Sequence, residues 1–233
     1  MFGSEHVTGK HSDATGADVS ALAAEIEGRL QSLSHRKTES VRAVRREFSR
    51  RLAGAPPEVV IEIAGRLLEG GDPVHRFVAY ELIHYHRGAL RSLRARDLER
   101  LGSGMDSWGD VDTFACYLSG PAWREGQVPD SLIHRWTRSK DRWRRRAALV
   151  STVPLNNRAR GGHGDTARTL AVCRRLIADR DDMVVKALSW ALRALAVRDP
   201  QGVRRFLQEH ERELAARVKR EVMNKLTTGL KNP

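Results

Sequence analysis

The chain has 233 residues, 40% of them hydrophobic, enough to bury a core in one large domain or two small ones. Lys and Arg total 41 against 29 Asp and Glu, a formal net charge of +12, and 34 of the cations are Arg, which suits forked contacts to a polyanion. Two distant cysteines, Cys116 and Cys173, exclude a disulfide scaffold or zinc ribbon, and no run of about 18 apolar residues marks a transmembrane helix.

Residues 1–18 are polar and contain no apolar segment of a secretory signal, so they read as a disordered tail, with the cytoplasm as the default compartment. A single domain is expected over residues 19–230. Leu22, Ile26, Leu30 and Leu33 form a first helical stripe, and Val41, Val44, Phe48 and Leu52 a second. Pro56-Pro57 opens a third helix, whose Val59, Ile63 and Leu67 keep one face and which Gly70-Gly71 closes. Further stripes continue to Leu226 with no convincing strand pair. The longest loop candidate, Asn156 to Asp165, is rich in Gly, Arg and Asn and reads as flexible.

Four segments share one frame. They open at Asp72, Asp106, Asp141 and Asp181, 34, 35 and 40 residues apart, each Asp suited to cap a helix. Two residues on stand Val74, Trp108, Trp143 and Met183. Six residues on stand Val78, Asp112, Ala147 and Ala187. That period predicts an all-α, HEAT-like helical-repeat solenoid with a concave face. Asp112 is the odd member of its position. It is either a solvated or capping carboxylate in an imperfect repeat, or a carboxylate aimed into the concave face. Trp108 lies one turn earlier on the same side. From the frame alone Trp108 and Trp143 both read as core, and Trp123 and Trp136 as core or loop packing.

The blocks Trp108-Gly-Asp-Val-Asp112, Trp143-Arg-Arg-Arg146-Ala-Ala and Lys186-Ala-Leu-Ser-Trp190-Ala-Leu-Arg193 occur in this order. They resemble the signature blocks of the AlkD-type alkylpurine DNA glycosylases, a HEAT-like-repeat family of DNA alkylation repair. The similarity covers about residues 37 to 228 and is clearest after Trp108; the N-terminal third is only loosely similar. The resemblance implies hydrolysis of the N-glycosidic bond of cationic N3- or N7-alkylpurines in double-stranded DNA, without flipping the base. A cationic base leaves as a neutral purine and needs no strong acid, while positive charge develops on the deoxyribose. By resemblance, Asp112 is the carboxylate that stabilises that charge and places water. Trp108 and Trp190 are the two cleft indoles whose faces attract it. Trp143 stays a core residue.

Arg146 and Arg193 match phosphate contacts of the family. Lys186, one turn before Trp190, and Arg145 are further DNA-binding candidates, as are Arg158 and Arg160 in the long loop. The face they line is expected to be basic, with salt-dependent and sequence-tolerant binding. No metal or organic cofactor is implied, and a monomer acting on the nucleoid is expected. His84 and His86 point apart on a helix and do not suggest a metal site. Gly161-Gly162-His163-Gly164 lacks the Lys-Ser/Thr of a phosphate loop. Two other readings stay open beside the enzyme: a non-catalytic HEAT-repeat binder of damaged or unusual DNA, and a protein-binding scaffold, which the charge disfavours.

Overall fold

The computed structural model describes residues 10–233, with side chains from Asp18 onward. Every regular element among them is helical, and no helix is long and apolar enough to cross a membrane. The chain forms two compact units that meet in sequence at Ser92 and Leu93, where one domain over 19–230 was expected.

The first unit holds α1 (Lys10–Gln31), α2 (Thr38–Arg51), α3 (Pro57–Glu69), α4 (Pro73–Tyr85) and α5 (Arg87–Ser92). Helix α1 starts inside the stretch expected to be a tail. Residues 1–9 of that tail lie outside the described residues, and from Lys10 to Gln31 no proline interrupts a run rich in Ala. The stripe Val41, Val44, Phe48 and Leu52 is buried as its spacing requires. On α3 the buried face is Val60, Ile63, Ala64 and Leu67, so Val59 falls at its edge. Gly70 ends that helix, and Gly71 follows at φ 69°, where a side chain would be strained. The carboxylate of Glu81, fully buried, is held by Arg42 and Arg45 at 2.9 Å each.

The second unit holds α6 (Ala95–Leu101), α7 (Trp108–Phe114), α8 (Gly120–Arg124), α9 (Asp130–Trp136), α10 (Arg142–Val150), α11 (Val153–Asn156), α12 (Thr166–Arg175), α13 (Asp182–Ala196), α14 (Pro200–Glu209) and α15 (Ala216–Thr228). Helix α7 packs on α10, α10 on α13, and α13 on α15, while α12 and α14 each pack on α13. This succession is a helical-repeat architecture, and the layer α7–α10–α13–α15 carries most of the candidate site.

Capping fixes the register of that layer, and it corrects the sequence frame at one place. Asp72, Asp141 and Asp181 cap as expected, each accepting from the backbone N–H two residues on. At α7 the cap is Ser107, whose hydroxyl accepts from the Asp110 N–H at 3.2 Å. Counted from the true caps, Asp112 does not share a position with Val78, Ala147 and Ala187. It shares one with Phe77, Arg146 and Lys186, a column of large side chains. Trp108 likewise leaves the column of Val74, Trp143 and Met183, and it is 62% exposed rather than core. Trp143 is itself only half-buried, with the Arg142 guanidinium 5.0 Å from its ring centroid. The fully core tryptophans are Trp123 and Trp136, the first donating its indole N–H to Asp130 at 2.7 Å.

Helix α7 continues into α8 without a break through one π-helical segment, Ala115–Ser119. The wider turn brings Ser119 against Ser151, hydroxyl to hydroxyl at 2.7 Å, and seats Gly120 on the end of α10. A Cβ on Gly120 would lie 2.7 Å from Pro154 and 2.8 Å from the Ser151 carbonyl. π-Segments are common beside functional sites, and this one lies between Trp108, exposed at the start of the continuous helix, and Trp123, buried at its end.

Candidate nucleic-acid site

Asp112 and Arg146 occupy equivalent positions on the stacked helices α7 and α10, so their side chains meet. The guanidinium forks both carboxylate oxygens, Nε to Oδ1 at 3.0 Å and Nη2 to Oδ2 at 2.9 Å. Its remaining nitrogen, Nη1, donates to the Met183 carbonyl in the first turn of α13 at 2.6 Å. The Arg146 side chain is 7% exposed and that of Asp112 19%. Burial pushes the Asp112 carboxyl above its ordinary range, and the Arg146 fork pulls against that rise. One turn before Asp112, Trp108 presents its indole to solvent. One turn after it, Cys116 is buried, and that burial pushes its thiol up to about 11, a packing residue rather than a nucleophile.

The other predicted residues fall into two groups. Trp190, half-buried, lines a cleft of about 540 Å³ together with Arg193 and Arg158. Arg193 lies over a buried polar pair: its Nε donates to the Ser189 hydroxyl at 3.2 Å, and that hydroxyl donates to Glu221 at 2.6 Å. Burial lowers the Arg193 pKa, with Glu221 opposing. Lys186 and Arg145 are committed to partners within the chain. Lys186 pairs with Asp182 at 2.7 Å, and this bond is the main reason the Asp182 carboxyl sits low. Arg145 bonds Asp179 at 2.7 Å and the Ser139 and Lys140 carbonyls. Arg160 lies over the Tyr117 ring at 5.4 Å.

The loop Asn156 to Asp165 is built rather than flexible. Arg124 donates to the Pro154 and Arg160 carbonyls. Arg198 donates to the Asn156 and Gly162 carbonyls at 2.9 Å each. The Asn156 side chain accepts from the Asp165 N–H and donates to Thr169. Gly161 and Gly164 turn at φ 80° and 104°, and Gly162 is pressed against the Pro154–Leu155 backbone so closely that a Cβ would stand 2.4 Å from the Pro154 carbonyl.

Sequence reasoning missed three parts of this site. The Ser107 cap carries a legible signal, Ser107-x-x-Asp110. The Met183 carbonyl, as main chain, carries none. Arg124 and Arg198, which pin the loop, look in sequence like any other arginine.

These features can be set beside known proteins. A family model described as DNA alkylation repair enzyme matches residues 36–226. The chain belongs to the DNA alkylation repair enzyme family. The match spans every site residue named above and supports a role in DNA repair. No curated protein and no solved structure matched the chain.

Proposed function

We propose that this DNA alkylation repair protein is a monofunctional glycosylase. It hydrolyses the N-glycosidic bond of cationic N3- or N7-alkylpurines in duplex DNA, acting as a monomer on the nucleoid. The observation that carries this reading is the Asp112 carboxylate, gripped at both oxygens by Arg146, part-exposed, and one turn from an exposed indole.

In such a reaction the bond from C1′ to the purine nitrogen breaks, and its electron pair neutralises the departing cationic base. Positive charge grows on the deoxyribose. Arg146 occupies one lone pair on each Asp112 oxygen and leaves the other for water or for the sugar cation. Water bonds to C1′ and gives its proton to Asp112 or to solvent. A carboxylate fixed before the reaction needs no reorganisation in the transition state, and the Trp108 face adds cation–π attraction. An exposed indole beside a carboxylate that keeps part of its surface open to solvent suits a lesion sugar held at the duplex edge, with no pocket for the base.

A second reading, a non-catalytic binder of damaged DNA, is favoured by one observation: Arg146 neutralises Asp112 in the free protein. Base release from a duplex carrying one 7-methylguanine separates the two. Wild type is expected to release the base, and Asp112→Asn to be slower by roughly 10²-fold or more. Both proteins are compared below their melting transitions, because the substitution also removes an ion pair. Equal release by the two would remove Asp112 from the mechanism. Tight binding without release of 7-methylguanine, or of a bulky N3-adenine adduct, would favour the binder.

A further inference from the structure

In the second unit the layer α7–α10–α13–α15 carries the candidate site. Helices α9 and α12 pack on α10 and α13 as an outer layer and touch each other. The charge of this outer pair is one-sided. Ser131 to Lys140 holds Arg135, Arg138 and Lys140, Thr166 to Ala178 holds Arg168, Arg174 and Arg175, and neither stretch contains Asp or Glu. Three of these cations have work within the chain. Arg135 pairs with Glu99 at 2.7 Å, Arg168 with Asp130 at 3.1 Å, and Arg174 lies over the Phe206 ring at 5.8 Å. Arg138, Lys140 and Arg175 are exposed, and their side chains make no hydrogen bond or ion pair among the described residues.

Two of these cations act on the same neighbour. His134 of α9 sits below its ordinary range, first because it is part-buried, and then because Arg175 at the end of α12 and Arg138 in the turn after α9 both oppose its charge. Asp130 pulls the other way, but its carboxylate already accepts from Trp123 and Arg168. Cations from two helices therefore share one field on the outer layer. Such repulsion disfavours the folded chain, and no contact within the chain compensates for it.

The composition of the face selects its ligand. The exposed large hydrophobic residues among those described are Tyr85, Trp108, Val197, Met223 and Leu230, and none of them lies on α9 or α12. A protein partner draws on an apolar or aromatic centre, and a membrane-bound helix on an inserted apolar face; this surface offers neither. Exposed guanidinium forks with an ammonium beside them suit phosphodiesters in series. We infer that the outer face of α9 and α12, around Arg138, Lys140 and Arg175, is a second nucleic-acid contact, which holds a further duplex segment by its backbone while the inner layer is occupied. It reads no sequence, because only phosphates are touched. One chain then holds two segments at once and passes from one to the other without release into solvent. The inference goes beyond the glycosylase reading and stands whether or not Asp112 cleaves a base.

The test compares the full wild-type chain with the double variant Arg138→Gln/Arg175→Gln. Both side chains are exposed and unpaired, so melting is expected to stay within a degree or two. Short undamaged duplexes are titrated in at low salt and their number per chain is measured by sedimentation. Wild type is expected to bind two and the variant one, with the slope of log K against log salt for the weaker event lessened by about two. One duplex per wild-type chain, or two on the variant with an unchanged slope, overturns the outer contact. His134 supplies a local readout by NMR, its resonance assigned by loss in His134→Gln. Bound phosphate offsets Arg175 and Arg138, so duplex is expected to move the His134 titration to higher pH in wild type. In the variant that titration starts higher and duplex no longer moves it. A His134 titration indifferent to duplex in wild type removes DNA from this face. Polyglutamate and phosphatidylserine vesicles form the last arm: failure of either to displace the second duplex supports a nucleic-acid site, and displacement as effective as that by free duplex overturns it in favour of an acidic protein or a membrane. Failure of the glycosylase reading looks different, because wild type would then keep the His134 response to duplex while releasing no base.

Discussion

Arg146→Met separates two roles for Arg146 that the same sequence position allows. By resemblance Arg146 is a phosphate contact; in the structure its guanidinium is committed to Asp112 and the Met183 carbonyl. Methionine keeps much of the side-chain length and removes every donor. Breaking a buried ion pair from one side costs about 3–5 kcal/mol; because the Asp112 side chain is 19% exposed, water recovers part of it, and about 2–3 kcal/mol is the expected loss. For a chain of this size that lowers the melting temperature by roughly 4–12 °C.

The pH dependence carries the sharper test. Burial raises the Asp112 pKa and Arg146 opposes the rise; without Arg146 the rise is unopposed. The active form is the carboxylate, so excision is lost as pH falls through the folded-state pKa, and that acid limb shifts to higher pH in Arg146→Met. Stability runs the other way. A raised folded pKa means that holding Asp112 ionised costs the folded state at neutral pH, a cost that vanishes once acid has protonated the group in both states. The deficit of Arg146→Met relative to wild type therefore narrows in acid. Calorimetry across pH and single-turnover base release measure both. A variant that melts within about 2 °C of wild type, keeps its acid limb, and loses only DNA affinity would refute the positioning argument and restore a pure phosphate contact.

Two further outcomes follow from exposure and close packing. Trp108→Ala removes a side chain that is 62% exposed, so melting should change by only a degree or two while single-turnover excision falls at least tenfold; a large loss of stability with normal excision would return Trp108 to the core. Gly162→Ala drives a Cβ to 2.4 Å from the Pro154 carbonyl, a main-chain clash that only loop movement relieves, at about 1–3 kcal/mol. It should lower the melting temperature by roughly 2–12 °C, and an unchanged melting temperature would show that the loop relaxes without cost.

The helical fold was legible because its signals are local. Apolar spacing on α2, the prolines at the start of α3 and the aspartate caps of α4, α10 and α13 each act within a turn or two of chain. The cap of α7 shows how small the margin is. Asp106 and Ser107 are adjacent cap residues, and choosing the first moved Trp108 into the core column and Asp112 into a column of small side chains. The correct choice places Asp112 level with Arg146, which is the contact the structure shows. The site was legible as a set of residue types on three helices. The Met183 carbonyl and the pinned loop were not, because one is main chain and the other depends on residues more than 30 positions apart.

The arginine excess itself has two causes, and only one of them concerns DNA. A net charge of +12 suggests a broad supply of cations for phosphate, yet Arg124, Arg145, Arg180 and Arg198 donate to loop or helix-end carbonyls. A guanidinium reaches two such acceptors at once with fixed geometry, which an ammonium does less well. Helical repeats leave several unpaired carbonyls at the end of each helix, so a repeat protein with few lysines satisfies them with arginine. Charge alone therefore overstates the DNA-facing set. The cations left for DNA are those without such commitments, and Arg145 and Arg146, each held by a carboxylate and a main-chain carbonyl, are not among them.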